Sequence, residues 1–195
     1  MTDIDADKTA LRADLRARRR QLAKDLPEAA DLAARAFLAA GLPRFTGAAL
    51  YHPVGAELNP APLGRALLSL GVRVAYPVVI ARETPLIFRE HPADGPLVPD
   101  AIGIACPPPS APELRPDMVV VPMLGFDDAG GRIGQGGGFY DRTLEALRKS
   151  GPVFALGLAF SGQEVEAIPI GPYDQRLDAV LTEKGVRLFN WNGAG

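Results

Sequence analysis

Residues 118–160, MVVVPMLGFDDAGGRIGQGGGFYDRTLEALRKSGPVFALGLAF, decide the architecture. Residues 118–124 form an apolar run rich in valine, as a strand buried on both faces requires. Residues 139–150 predict a helix stopped by Gly151 and Pro152, and 153–160 predict a second buried strand. Two strands bridged by a helix make a βαβ crossover, and hence a parallel sheet. Between the first strand and the helix lies GFDDAGGRIGQGGGFYDR (125–142), in which seven of eighteen residues are glycine. Each glycine gives up stability by freeing the unfolded chain. A loop this rich in glycine must therefore approach something that a side chain would keep away.

Working outward, residues 6–25 predict a helix with Leu11, Leu15 and Leu22 at helical spacing. Lys8, Arg12, Arg16, Arg20 and Lys24 recur every fourth position, giving a positive ridge expected opposite the leucines. Such a ridge is either a solvated polar face or a surface that meets phosphates or carboxylates. A second helix is expected over 28–40 and a third over 60–70, the latter opened by Pro60 and Pro62. Strands are expected at 47–54, running into a turn, and at 72–79 and 85–91. Residues 92–116 are proline-rich and predict an irregular surface excursion. DAVLTE (178–183) and GVRLF (185–189) predict two short terminal strands. Strand and helix alternate as in an open α/β sheet, whose ligands bind beyond the carboxyl ends of the strands. The glycine loop sits at such an end.

Bulk properties narrow the function. The 195 residues suit one domain, expected to span 1–195, with 47% hydrophobic and 23% charged residues. A net charge of −2 argues against nucleic-acid binding by bulk electrostatics. One cysteine, Cys106, cannot form an internal disulfide, which favours a cytoplasmic setting. The first residues lack the apolar core of a signal peptide, and no run approaches a membrane span. The chain is expected to act as a monomer, without nucleic-acid or membrane partners.

The loop is a natural anion site, because its backbone N–H groups can converge beside a helix N-terminus. It is neither of two familiar phosphate signatures. Gly131 and Gly136 have the Walker spacing, but Gly137 and Gly138 replace the Lys and Ser/Thr that must follow. Gly134-Gln135-Gly136 begins a dinucleotide fingerprint, but Phe139 occupies the third glycine position. Arg132 within the loop suits a phosphoryl group. Asp141 is either a helix cap or a ligand for Mg²⁺, which takes few protein carboxylates and completes its shell with phosphate and water. Together these point to nucleoside triphosphate chemistry.

The segment FDDAGGRIGQGGGFYDR resembles the signature of the 5-formyltetrahydrofolate cyclo-ligase (methenyltetrahydrofolate synthetase) family. Lys8 to Arg12, YHPVGAELNP (51–60) and IPIGPYDQRLDAVLTE (168–183) resemble its other blocks in the same order. The resemblance spans essentially the whole chain. It implies a Rossmann-like three-layer α/β fold, mostly parallel, of the sugar-phosphate isomerase and coenzyme A transferase type. It also implies an ATP- and Mg²⁺-dependent enzyme that converts 5-formyltetrahydrofolate to 5,10-methenyltetrahydrofolate, releasing ADP and phosphate. Carried over by position, Lys8, Arg12 and the run Arg132, Ile133, Gly134, Gln135, Gly136, Gly137, Gly138, Phe139 and Tyr140 would bind ATP. Lys8 and Arg132 would serve catalysis. His52, Glu57 and residues Gln135 to Phe139 would contact the folate. Asp141 and Asp174 match the metal positions, with Asp178 an alternative to Asp174. Gln135 stands where the family often has Tyr or Arg, and Asn59-Pro60 where it often has Asp-Thr. Two rival readings are another enzyme of the same fold and a non-catalytic folate or nucleotide binder.

Overall fold

The computed structural model describes residues 3–91 and 95–189. The expected alternation is present. Helix α1 covers Asp3–Asp25, α2 Ala29–Ala39, α3 Ala61–Ser69 and α4 Phe139–Ser150. Strands are β1 (Gly47–Ala49), β2 (Arg73–Val78), β3 (Ile87–Glu90), β4 (Val98–Pro99), β5 (Ala105–Cys106) and β6 (Met118–Pro122). They continue with β7 (Gly125–Phe126), β8 (Arg132–Ile133), β9 (Phe154–Leu158), β10 (Ala179–Thr182) and β11 (Gly185–Leu188).

Seven strands form the central sheet in the order β11-β10-β9-β6-β1-β2-β3. The pairs β1–β2, β1–β6, β6–β9 and β9–β10 are parallel, while β3 and β11 close the two edges antiparallel. Alternation along the strands separates two cores. Ala48, Met118, Val120, Phe154 and Leu156 face α2 and α3, packing against Ala33, Phe37, Leu63 and Leu67. Ala49, Val119, Val121 and Ala155 face the other way, against Leu144 and Leu147 of α4. Helix–sheet–helix layering follows from strands that are apolar on both faces.

Connections leave β1 in one direction to β2, while β6 pairs with its other edge. The crevice beyond the carboxyl ends of β1 and β6 is therefore the topological switch point, where open α/β sheets bind ligands. Helix α1 lies at this end. Its Leu15 packs with Leu124, Ile133 and Ile168 in a third cluster joined by Leu11. Gly125 and Gly162 make room for it: a Cβ on Gly125 would stand 2.7 Å from Leu15, and one on Gly162 2.6 Å from Leu22.

Three expectations need correction. The basic ridge does not oppose the leucines; it flanks them. A residue repeated every fourth position advances about 40° around a helix, so the row spirals from the docked face to solvent. Lys8 is buried, Arg12 and Arg16 are half-buried, and Arg20 and Lys24 are exposed. The proline-rich stretch is not a plain surface excursion, because β4 and β5 pair as a small hairpin. Residues 92–94 of that stretch lie outside the described residues. The glycine loop is also more regular than expected. Its first half is a hairpin, β7 with β8, turned by Asp127, whose carboxylate accepts the N–H groups of Ala129, Gly131 and Ile168. No helix among the described residues is long and apolar enough to cross a membrane.

Candidate active site

A cavity of about 700 Å³ occupies the switch point. The loop after β1 supplies Tyr51, His52 and Glu57; α1 supplies Lys8 and Arg12; the segment after β6 supplies Arg132 through Asp141. Of the candidate site residues named from the sequence, all but the alternative Asp178 lie in its wall: Lys8, Arg12, His52, Glu57, residues 132 to 141, and Asp174.

One end is ionic. Lys8 Nζ pairs with Asp174, whose Oδ2 also accepts the Gly171 N–H at 2.6 Å. Arg12 Nε donates to the Gly134 carbonyl at 3.0 Å, and Arg16 Nε to Gln135 Oε1 at 3.1 Å. Arg132 extends from β8, only 8% exposed, and donates through Nη2 to Asp141 Oδ1 at 2.7 Å and through Nη1 to the Gln175 carbonyl. Burial opposes the Arg132 charge, while the adjacent Asp141 and Asp174 favour it. Asp141 is the third residue of α4 and is not a cap. The cap position is Gly138, in the left-handed region, and Asp141 Oδ1 instead accepts from Arg132 and the Gln175 N–H. Asp178 faces elsewhere: its Oδ2 accepts from Arg148 at 3.0 Å and the Ala155 N–H at 2.7 Å. Asp174, not Asp178, lines the cavity.

The other end is more apolar. Val79, Leu86, Ile102 and Ile104 line it, the last two from the proline-rich stretch. Asp100 folds that stretch inward by accepting the N–H groups of Ile102 and Ile104 at 2.9 Å each and of Val79 at 3.2 Å. Cys106 beside it is buried, and burial raises its thiol pKa, which leaves it protonated and unreactive. His52 stacks on Tyr76, ring centroids 4.3 Å apart, and its Nε2 is buried without a hydrogen-bond partner among the described residues. Burial and then His91 lower its pKa, so the imidazole is neutral near pH 7. Burial, and after it the field of Glu57, raises the pKa of Tyr140, while Arg132 pulls the other way. Tyr140 thus stays a neutral phenol between the carboxylate and the cation.

Four participants were missed in the sequence. Tyr51 hydrogen-bonds the Leu58 carbonyl and shapes the turn that carries Glu57. Ile102 and Ile104 sit in a stretch with no periodicity to mark them. Arg19 is buried behind Glu57, and its signal was present: it follows Leu15 by four positions and precedes Leu22 by three, on the same helix face.

An open parallel sheet with an ionic cavity at its switch point defines an α/β enzyme of the Rossmann-like, three-layer class. The 5-formyltetrahydrofolate cyclo-ligase family matches residues 4–183, and the chain belongs to it. It is accordingly a ligase with that family's activity. A 5-formyltetrahydrofolate cyclo-ligase from Mycolicibacterium smegmatis is 35% identical over 144 residues, 69% of this chain and 72% of its own. One from Escherichia coli K12 is 33% identical over 150 residues, 73% of this chain and 80% of its own. Among solved structures, a 5,10-methenyltetrahydrofolate synthetase from Aquifex aeolicus has a TM-score of 0.75 at 26% identity, covering 96% of this chain and 95% of that one.

Proposed function

We propose that this cavity closes the ring of 5-formyltetrahydrofolate at the expense of ATP, yielding 5,10-methenyltetrahydrofolate, ADP and phosphate. The observation that carries this reading is the gathering of Lys8, Arg12, Arg132 and the glycine loop in one cavity with Glu57 and His52. A formamide oxygen is a poor leaving group. Transfer of the γ-phosphoryl group of ATP to that oxygen makes it a good one. N10 then attacks the formyl carbon, the C–O bond breaks with release of phosphate, and N10 loses its proton.

The chain's part in this is positioning and charge. Lys8, Arg12 and Arg132 receive the phosphates, and the backbone of Arg132 to Tyr140 lets the nucleotide come close. Glu57 accepts from the N–H edge of the pterin, and the neutral His52 hydrogen-bonds the same substrate through its vacant nitrogen. Gln135 to Phe139 meet both ligands, which explains glycines where each ligand passes. Asp141 and Asp174 fit a magnesium ion that travels with the triphosphate. Each has one oxygen bound by protein donors and a second without a hydrogen bond among the described residues. Two carboxylates, with no group of three or more His, Cys, Asp or Glu ligands among the described residues, are few for a resident metal but suited to one whose shell phosphate and water complete. Bound there, the ion offsets phosphate charge.

We further read the enzyme as a cytoplasmic monomer with one domain over residues 1–195 and no nucleic-acid or membrane partner. Its net charge of −2 and single, buried thiol support that reading.

The test combines protein, MgATP and 5-formyltetrahydrofolate and follows methenyl-folate absorbance with ADP release. Equal amounts of both products are expected, and Arg132→Ala should lower turnover at least ~100-fold, as loss of a transition-state charge clamp does. Ligand binding without methenyl product would leave only a binding role. Near-normal turnover of the variant would remove Arg132 from the chemistry.

A further inference from the structure

We infer that Arg19 is a positioning residue of the folate end, aiming Glu57 into the cavity from a helix that also serves the phosphate end. This rests on the proposed contact between Glu57 and the substrate. Arg19 is 5% exposed and does not line the cavity. Its Nη1 donates to Glu57 Oε1 at 3.2 Å and to the Met123 carbonyl at 3.1 Å. The other Glu57 oxygen accepts the Val54 N–H at 3.0 Å. The carboxylate is thus held from behind on one oxygen and from its own turn on the other, with its side chain only 8% exposed.

A buried carboxylate and a buried guanidinium are each costly alone, and removing one strands the other. This pair is no isolated stability device. Arg19 Nε is buried with no partner among the described residues, so the guanidinium is not fully satisfied by its surroundings. It sits where it serves Glu57 and the chain leaving β6. Both acceptors are met by the one nitrogen Nη1, which the planar guanidinium holds in a fixed direction; lysine carries the charge on a shorter, flexible stem without that plane, so charge alone is only a partial substitute. Lys8 and Arg12, on the same helix, meet Asp174 and the Gly134 carbonyl at the phosphate end. Arg19 therefore gives α1 a second hold on the site, at the opposite ligand.

Steady-state kinetics on Arg19→Met, Arg19→Lys, Glu57→Gln and the Arg19→Met/Glu57→Gln double variant test this. Arg19→Met should raise KM for 5-formyltetrahydrofolate at least ~10-fold while KM for ATP stays within about 3-fold, with Arg19→Lys intermediate. The double variant should lose little beyond Glu57→Gln alone, since Arg19 acts through Glu57. Equal rises in both KM values, or additive losses in the double variant, would reduce Arg19 to a packing residue. If Glu57→Gln binds the folate normally, the Glu57 contact itself fails and the inference falls with it. If Glu57→Gln is impaired and Arg19→Met is not, only the inference falls. Circular dichroism melting of each variant separates these outcomes from misfolding.

Discussion

At Gly138 the backbone φ is +66°, and a Cβ there would come within 2.6 Å of an Arg142 guanidinium nitrogen. That guanidinium ties the Gly137 carbonyl to the Arg82 carbonyl at 2.9 and 3.1 Å and lies over the Phe139 ring. Gly138→Ala should therefore destabilise the fold by about 1–2 kcal/mol through left-handed strain, read as a lower Tm. Gly134 is a different case. Its φ is outside the left-handed region and a Cβ would meet nothing within 4 Å. Nothing among the described residues requires glycine at that position, and the proposed close approach of a ligand supplies a reason for it. Gly134→Ala should leave Tm unchanged or slightly raised, by up to about 1 kcal/mol from a stiffer unfolded chain. It should nonetheless raise KM for ATP or folate at least ~10-fold. Unaltered kinetics in that variant would mean that no ligand enters the space.

Helix α1 is the element on which the site turns. It seats Leu15 against Gly125 and Leu22 against Gly162, and it carries Lys8, Arg12, Arg16 and Arg19 to their partners. Gly125→Val should lift the helix from its seat. We expect KM to rise for both substrates, unlike the folate-selective effect of Arg19→Met, with a stability loss of about 1–3 kcal/mol from overpacking measured by thermal melting. The helix and its leucine face were legible because periodicity reports burial directly. The direction of its charges was not, since a four-residue repeat drifts around the axis and only contact decides where it leaves the docked face. Helix α4 was read to its end residues, because Gly138 and the Gly151-Pro152 pair punctuate it. The β7–β8 hairpin was invisible inside a composition that says only glycine. The inward fold of Ile102 and Ile104 depends on Asp100 binding backbone N–H groups, a local geometry that leaves no periodic trace.

Across the whole molecule the site follows from strand order. The cavity opens where connections diverge on either side of β1 and β6, and helices on both faces leave that end as the open approach. Strand and helix alternation made this legible before any coordinate, while His52, Glu57 and Asp174 needed the family resemblance to single them out. A ligand that bridges α1, the glycine loop and the Asp174 segment should stabilise the folded state by mass action, about 2.7 kcal/mol at a hundredfold excess over Kd. Thermal shift with MgATP should show this, and ATP in EDTA should show much less. The reason lies in the two ion pairs, Lys8 with Asp174 and Arg132 with Asp141. The resting site is not simply a positive hole awaiting an anion: two of its cations are already matched, while Arg12 rests on a neutral carbonyl. Phosphates that claim Lys8 and Arg132 leave two carboxylates without counter-ions. If MgATP binds as proposed, binding is an exchange of salt partners, and a triphosphate stripped of its metal brings only half of what the exchange requires.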